Sequence, residues 1–441
     1  MAGTDKLLET VTALNEKDQY QKVIALLPDQ VLAQHKDAEL YHQLGLALAD
    51  AEQHDKAIKA HTQAISINPK IARYYTNRGL LALTKQSFEE AIKDCSLAIE
   101  LEPDNTIARF NRGEAYKATG QYDKAYEDHD HVISLDHKNA MAYYGRATIL
   151  CIKKKYEKAI KDFSKSIKLK PDFAFSWYQR GNIWYDLQEF DKAIADFNKT
   201  IELDPKMKLA YIDRGYAWFD KENYDKAIQD YSQVIKMDPQ DATAYRLRGD
   251  CWDEKKEYER ALKDYNVAAK LKPTEARNYI NRGCAYAALK KDKQAIEDFT
   301  IAIGLKPDHA DAWYNRGNSW NELFLQTKAH NELQHALDDF TRAIQIDPLH
   351  SDAICNRGIL YASIFDYQNA IPDLVRTLEL NPHDQYAPRW LARIQEKTML
   401  NFEEMLQRTF SSPFKQTPVK VKNNSSAGSK KKAAPKKKSK R

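Results

Sequence analysis

Apolar residues along this chain return every three or four positions, the spacing that lines one face of a helix. In residues 174–205, AFSWYQRGNIWYDLQEFDKAIADFNKTIELDP, one stripe runs through Trp177, Gly181 and Trp184. A second runs through Phe190, Ala193, Phe197, Ile201 and Leu203. The polar stretch LQEFD between them predicts a turn, and LDP ends the second stripe because proline cannot continue a helix. The segment therefore reads as two helices joined by a short turn.

The same pattern returns at a fixed interval. Pro69, Pro103, Pro171, Pro205, Pro239, Pro273 and Pro307 stand 34 residues apart, or twice 34 where His137 takes the place. Pro348 follows after 41 residues and Pro382 after a further 34. Arg78, Arg112, Arg146, Arg180, Arg214, Arg248, Arg282, Arg316 and Arg357 keep the same register. A helix pair of this length cannot bury its apolar face alone, whereas stacked neighbours can, so the chain predicts one extended array rather than separate globules. Each unit also carries an aromatic early in its first helix (Tyr75, Trp177, Tyr211, Tyr245, Tyr279, Trp313), a glycine, and an aromatic three later (Tyr116, Trp184, Trp218, Trp252). The second helix supplies Ala (Ala91, Ala159, Ala193, Ala227), an aromatic four later (Phe163, Phe197, Tyr231) and the closing proline.

On these residues the chain resembles the tetratricopeptide repeat family. The resemblance implies an all-α, right-handed superhelical solenoid of ten to eleven helix-turn-helix repeats. It covers residues 38–384 as ten units starting at 38, 72, 106, 140, 174, 208, 242, 276, 310 and 351. A degenerate repeat is expected at 4–37, a capping helix at 385–409, and a disordered Lys-rich tail at 412–441. Two departures stand out: seven extra residues around LFLQTKAHNEL, expected to lengthen a turn, and Pro372, expected to bend a second helix.

The repeated arginine sits on the inward stripe, where a buried cation needs a counter-charge. Sixteen residues after Arg78, Arg112, Arg146, Arg180, Arg214, Arg248 and Arg282 stand Asp94, Asp128, Asp162, Asp196, Asp230, Asp264 and Asp298. Asp339 and Asp373 answer Arg316 and Arg357. The unit at 38–71 has Leu44 and Ala60 at these two places, so both charges are missing together. This predicts structural ion pairs, with the neighbouring glycine allowing the two helices to approach closely.

The residue before each arginine lies about 100° round the helix and leaves the core stripe. It reads Asn77, Asn111, Gly145, Gln179, Asp213, Leu247, Asn281, Asn315 and Asn356. Family precedent places this position on the concave inner surface, where amides suit an extended peptide backbone; a merely solvated row is the other reading. The same face gathers Tyr178, Asn182, Tyr185, Asp186, Tyr216, Phe219, Asp220, Asp250, Asp253 and Glu254 in the middle units, an aromatic surface with acid that suits basic partners. Toward the C-terminal end it adds Asn318 and Asn321.

Charge is uneven. The chain is +5 overall, yet eleven basic residues and no acidic one lie from Lys415 onward, so the body before them is acidic. The tail reads as a nonspecific nucleic-acid contact, a nuclear address, an anchor on an anionic membrane, or a segment folding back on the acidic body. Five scattered cysteines without a CxxC pair suit reduced thiols and a cytoplasmic setting. The first residues lack the pattern of a signal peptide, and no apolar run is long enough to span a membrane. The lysine-and-asparagine clamp by which relatives hold heat-shock protein tails begins at Arg73, Asn77 and Asn111 but breaks at Met141 and Gly145; a second start at Arg277, Asn281 and Asn315 breaks at Asp352. No phosphate loop, dinucleotide fingerprint or nucleophile–base grouping is present, and the histidines of HNELQH are five apart, off the helical spacing of a zinc site. The expectation is a non-catalytic scaffold or adaptor, without cofactor or metal, that captures a peptide segment in the groove; the alternative is an adaptor tethered through its tail to nucleic acid or an anionic surface.

Overall fold

A computed structural model of the chain describes residues 2–398. Every regular element among the described residues is a helix, in the order the apolar stripes predict. The chain divides into two compact units, residues 1–285 and 286–441, within the helix Ala276–Ala288.

In the first unit each repeat is a helix of 13 residues, here helix A, followed by one of 14, helix B: Ala174–Asp186 and Phe190–Leu203 in the repeat quoted above. Helix A ends where Gln188 turns left-handed (φ 63°) and the Glu189 N–H reaches back to the Trp184 carbonyl at 2.9 Å. The equivalent residues Glu52, Gln86, Lys154, Glu222 and Lys256 take the same conformation, and among these turns only Gly120 is a glycine. Ala193, Phe197 and Thr200 are fully buried between the two helices. The glycine after the arginine is what brings the helices together: a Cβ on Gly181 would lie 2.8 Å from the Phe197 ring, and one on Gly215 2.6 Å from the Tyr231 ring.

The arginines do more than close a pair. Arg180 grips both Asp196 oxygens, with Nε–Oδ2 and Nη2–Oδ1 at 2.8 Å, and its Nη1 reaches back to the Ser164 hydroxyl of the preceding repeat, also at 2.8 Å. Its guanidinium lies 5.1 Å over the Trp177 ring. The arrangement recurs at Arg78 with Asp94 and Thr62, and at Arg214 with Asp230 and Asn198. Arg282 and its expected partner Asp298 belong to different units; Arg282 Nη1 donates to Asn266 in the preceding repeat at 2.9 Å. Every arginine thus holds a polar oxygen sixteen residues before it as well as the carboxylate after it. The asparagine, serine, threonine or aspartate that supplies this oxygen was legible in the 34-residue register but was not predicted. Burial pushes the Asp230 carboxyl upward while Arg214 pulls it down, so the carboxylate depends on its arginine to stay charged. In the repeat at 38–71, Leu44 packs instead into an apolar cluster with Leu48, Ala57, Ala60 and Leu81.

That same repeat buries two histidines. His42 and His61 are 3% and 0% exposed, with their Nδ1 atoms 3.4 Å apart. Burial depresses the pKa to about 4 for His42, against the pull of Glu39, and to about 3 for His61, where His42 and Arg78 add to the effect.

The N-terminal segment differs from a helix pair. It forms three helices, Ala2–Asn15, Tyr20–Leu26 and Asp29–His35, closing a cluster of Val11, Val23, Leu27, Leu32 and Leu40.

The second unit continues with the helix Asp292–Leu305 and the pairs Ala310–Thr327 with His330–Ile346 and Ser351–Ser363 with Tyr367–Leu380. The seven extra residues do not lengthen the turn. They extend both helices, to 18 and 17 residues, and leave only Lys328 and Ala329 between them. Apolar residues in the insertion explain this: Leu323 and Leu333 bury with Leu337 and Phe340, so added helix covers more surface than added loop would. The register survives, with Arg316 on Asp339 at 2.8 Å and on Thr300 at 3.0 Å. Tyr367–Leu380 runs as one helix through Pro372. Of the expected capping segment, Ala387–Thr398 is helical and buries Leu391 and Ile394; the remainder to 409, and the tail 412–441, lie outside the described residues.

Two outcomes follow from this packing. Arg214→Leu alone strands Asp230 and should destabilise its repeats by roughly 3 kcal/mol, while Arg214→Leu with Asp230→Ala, which copies Leu44 and Ala60, should cost clearly less than the two single changes added; hydrogen exchange in helices Lys208–Asp220 and Tyr224–Met237 measures it, and additive costs would contradict the clamp. The histidine pair sets a pH dependence. Its folded-state pKa values lie below the unfolded value of about 6.5, so the unfolded chain binds protons first and stability falls as pH drops from about 6.5 toward 4. His61→Phe, the residue at the equivalent place in Phe163 and Phe197, should flatten that slope in thermal melts across this range; an unchanged slope would contradict it.

Candidate partner-binding face

Through most of the first unit, helix A of one repeat touches helix A of the next, so residues at one place in successive A helices form rows. The row before the arginines runs along the seam between neighbours. Asn111 is only 4% exposed. Asp213 accepts the Tyr178 hydroxyl at 2.7 Å, and Asn281 donates to Asp250 at 2.7 Å. Leu247 is buried with Tyr231 and Cys251. Asn77 and Gln179 are half-buried. In the second unit Asn356 donates to Asn318 at 2.8 Å and to the Tyr314 hydroxyl at 3.3 Å; Asn315 and Asn321 are half-buried. The expected ladder of outward amides is therefore largely a set of bonds between adjacent repeats. The 100° step moves the side chain off the repeat's own core but onto the seam, not clear into solvent.

The same holds for part of the expected acidic surface. Asp250 takes Arg246 at 2.9 Å, the Tyr265 hydroxyl at 3.0 Å and Asn281, and functions as an internal hub. Asp220 accepts the Tyr185 hydroxyl at 2.5 Å. Asn182 stands half-buried beside Tyr178. Tyr216 is half-buried against Tyr231. Asp253 is crowded: burial and the charges of Asp250 and Glu254 push its carboxyl up to about 6.

A feature that sequence reasoning missed is what passes behind the glycines. The side chain opposite each glycine reaches across helix A toward this face. It is Phe in several repeats but His61, His129, Tyr231 and Tyr265 in others, which deliver polar tips. The 34-residue register held this signal. His129 also explains the break at Gly145, since a Cβ there would come 2.6 Å from its ring. It lies 3.2 Å from Glu114, which Lys117 also contacts.

A second missed feature is an exposed apolar row at the second residue of helix A. Ile107, Phe175 and Leu209 are 61%, 49% and 57% exposed, with Met141 between the first two. Neighbours in this row come within reach of one another: Arg73 and Glu39, one repeat apart, bond at 2.6 Å. Burial lifts the thiols of Cys95 and Cys151, to about 12 and about 11, so neither is a ready nucleophile. Among the described residues no group of three or more side chains is placed to hold a metal, and no helix is long and apolar enough to cross a membrane.

Comparison with known proteins agrees with the architecture. Family models described as tetratricopeptide repeat match residues 42–106, 95–127, 140–173, 174–207, 212–276 and 276–309, together more than half of the chain. A search of curated proteins finds no match. Among solved structures, the chain is similar to YrrB, a repeat protein of this kind described as having an unusual peptide-binding site, at 23% identity over 41% of this chain and 92% of that one, with a TM-score of 0.38. It is similar to MamA of Desulfovibrio magneticus RS-1 at 22% identity over 38% and 96%, TM-score 0.37, and to yeast Tom70 at 14% over 92% and 97%, TM-score 0.42. The repeats, their register and the matching models together show that the chain belongs to the tetratricopeptide repeat family.

Proposed function

We propose that this chain is a non-catalytic scaffold that captures a peptide segment along the A-helix face of its first unit. The observation that carries this is the row Ile107, Phe175 and Leu209, three large apolar side chains half or more exposed at one place in neighbouring repeats. Single exposed apolar residues are ordinary, but a row at repeat spacing is what an interaction surface presents. The acids Asp186, Asp220, Asp253 and Glu254 stand at the far end of the same helices, so a segment with spaced apolar residues and basic ones fits best. The seam bonds keep the A helices in fixed register, which lowers the ordering cost of binding.

A second reading rests on the eleven basic residues from Lys415: a grip on nucleic acid or an anionic surface that recruits the repeats. Its affinity should fall steeply with salt.

Twelve-residue peptides selected on the chain from a random display library should lose roughly tenfold or more in affinity for a variant with Ile107, Phe175 and Leu209 all changed to Ser, with helicity unchanged by circular dichroism. Equal affinity for the variant would remove the proposal. Deleting residues 412–441 should leave peptide affinity intact; if instead the deletion abolishes the binding of every ligand found, including salt-sensitive binding of mixed-sequence DNA, the tail-tether reading replaces it.

A further inference from the structure

We propose that the A-helix face of the repeats at 208–241 and 242–275 holds a site for one lysine ammonium of the bound segment, formed by Asp213, Tyr216, Asp253 and Glu254 above the hydroxyl of Tyr231. The inference rests on the peptide-capture reading and adds the chemistry of one anchor.

Charge is the first support. Asp213, Asp220, Asp250, Asp253 and Glu254 lie on two successive A helices, and the cation among them, Arg246, is bonded to Asp250 at 2.9 Å. Asp213 and Asp220 accept tyrosine hydroxyls, which leaves their charge in place. Asp253 and Glu254 enter no ion pair among the described residues. Carboxylates this crowded repel one another, as the raised Asp253 shows, and a cation between them relieves it.

Tyr231 is the second, independent support. It is fully buried, and its hydroxyl has no hydrogen-bond partner. Its ring crosses helix A at Gly215, meets Tyr216 edge-on with centroids 6.2 Å apart, and packs in one cluster with Phe219 and Cys251. One repeat on, Tyr265 in the same place bonds to Asp250 at 3.0 Å. Phe163, Phe197, Phe299 and Phe340 fill the place in other repeats with no hydroxyl at all. Packing therefore does not call for the Tyr231 oxygen, and burying it unpaired destabilises the fold. A group kept against stability and aimed beneath an acidic, aromatic patch suits a ligand. The ligand is an ammonium rather than a guanidinium: the acceptors converge from separate helices, matching three donors on a compact charge, whereas a guanidinium prefers the flat two-pronged grip of one carboxylate. The ring of Tyr216 adds a cation–π surface.

The test uses the full chain and a fluorescein-labelled, N-acetylated hexalysine peptide followed by anisotropy. Tyr231→Phe should keep or raise the melting temperature yet weaken binding roughly threefold, and Asp253→Asn with Glu254→Gln should weaken it roughly tenfold. Glu89→Gln with Glu90→Gln removes the same charge from the exposed start of the helix Phe88–Leu101 and should change affinity less than about twofold. The proposal falls if Tyr231→Phe binds like the wild type, or if the Glu89 and Glu90 changes weaken binding as much as those at Asp253 and Glu254. Selected library peptides without lysine separate this from the broader reading: if they still bind through Ile107, Phe175 and Leu209 while hexalysine fails these tests, capture stands and the lysine site does not.

Discussion

Much of this structure follows from a buried arginine that must be neutralised. A guanidinium placed between two helices has to find carboxylate and further acceptors, or the interior rejects it. Here it finds a bidentate aspartate on its own helix B and a polar oxygen on the helix B before it, as Arg180 does with Asp196 and Ser164. One side chain therefore fixes three helices, and its repetition fixes the spacing between repeats. The repeat at 38–71 shows the alternative, Leu44 on an apolar cluster, which closes the local core without this polar tie to the preceding helix.

With the stacking fixed by that clamp, the remaining positions divide into those that bind repeat to repeat and those that look outward. The amides and many of the acids beside the arginines belong to the first kind: Asn281 and Tyr265 on Asp250, Tyr178 on Asp213. The second kind is smaller: the exposed apolar row at Ile107, Phe175 and Leu209, and the crowded acids around Asp253. The glycines connect the two, because only without a Cβ can a ring on helix B carry its tip through to the outward face.

The helices, their period and the arginine–aspartate pairs were legible in the sequence because each leaves a mark at one fixed interval. The candidate site was legible only in part. A helical wheel gives the direction of Asn111 or Asn281 relative to its own repeat, but not where the next repeat's A helix lies, and that neighbour decides between seam and surface. The seven-residue insertion misled for a related reason: counted as residues it suits a loop, but Leu323 and Leu333 make it worth more as helix. The polar tips of His129 and Tyr231 were in the register throughout; their meaning needed the glycines opposite them.

The central claim is that ligands meet the A-helix face of the first unit while the clamps behind it stay closed. Hydrogen–deuterium exchange with and without a selected peptide tests it most directly. The account predicts protection concentrated in helices Ala174–Asp186, Lys208–Asp220 and Ala242–Glu254, with Phe190–Leu203 and Tyr224–Met237 unchanged. Protection confined to the B helices, or to residues 412–441 alone, would contradict it.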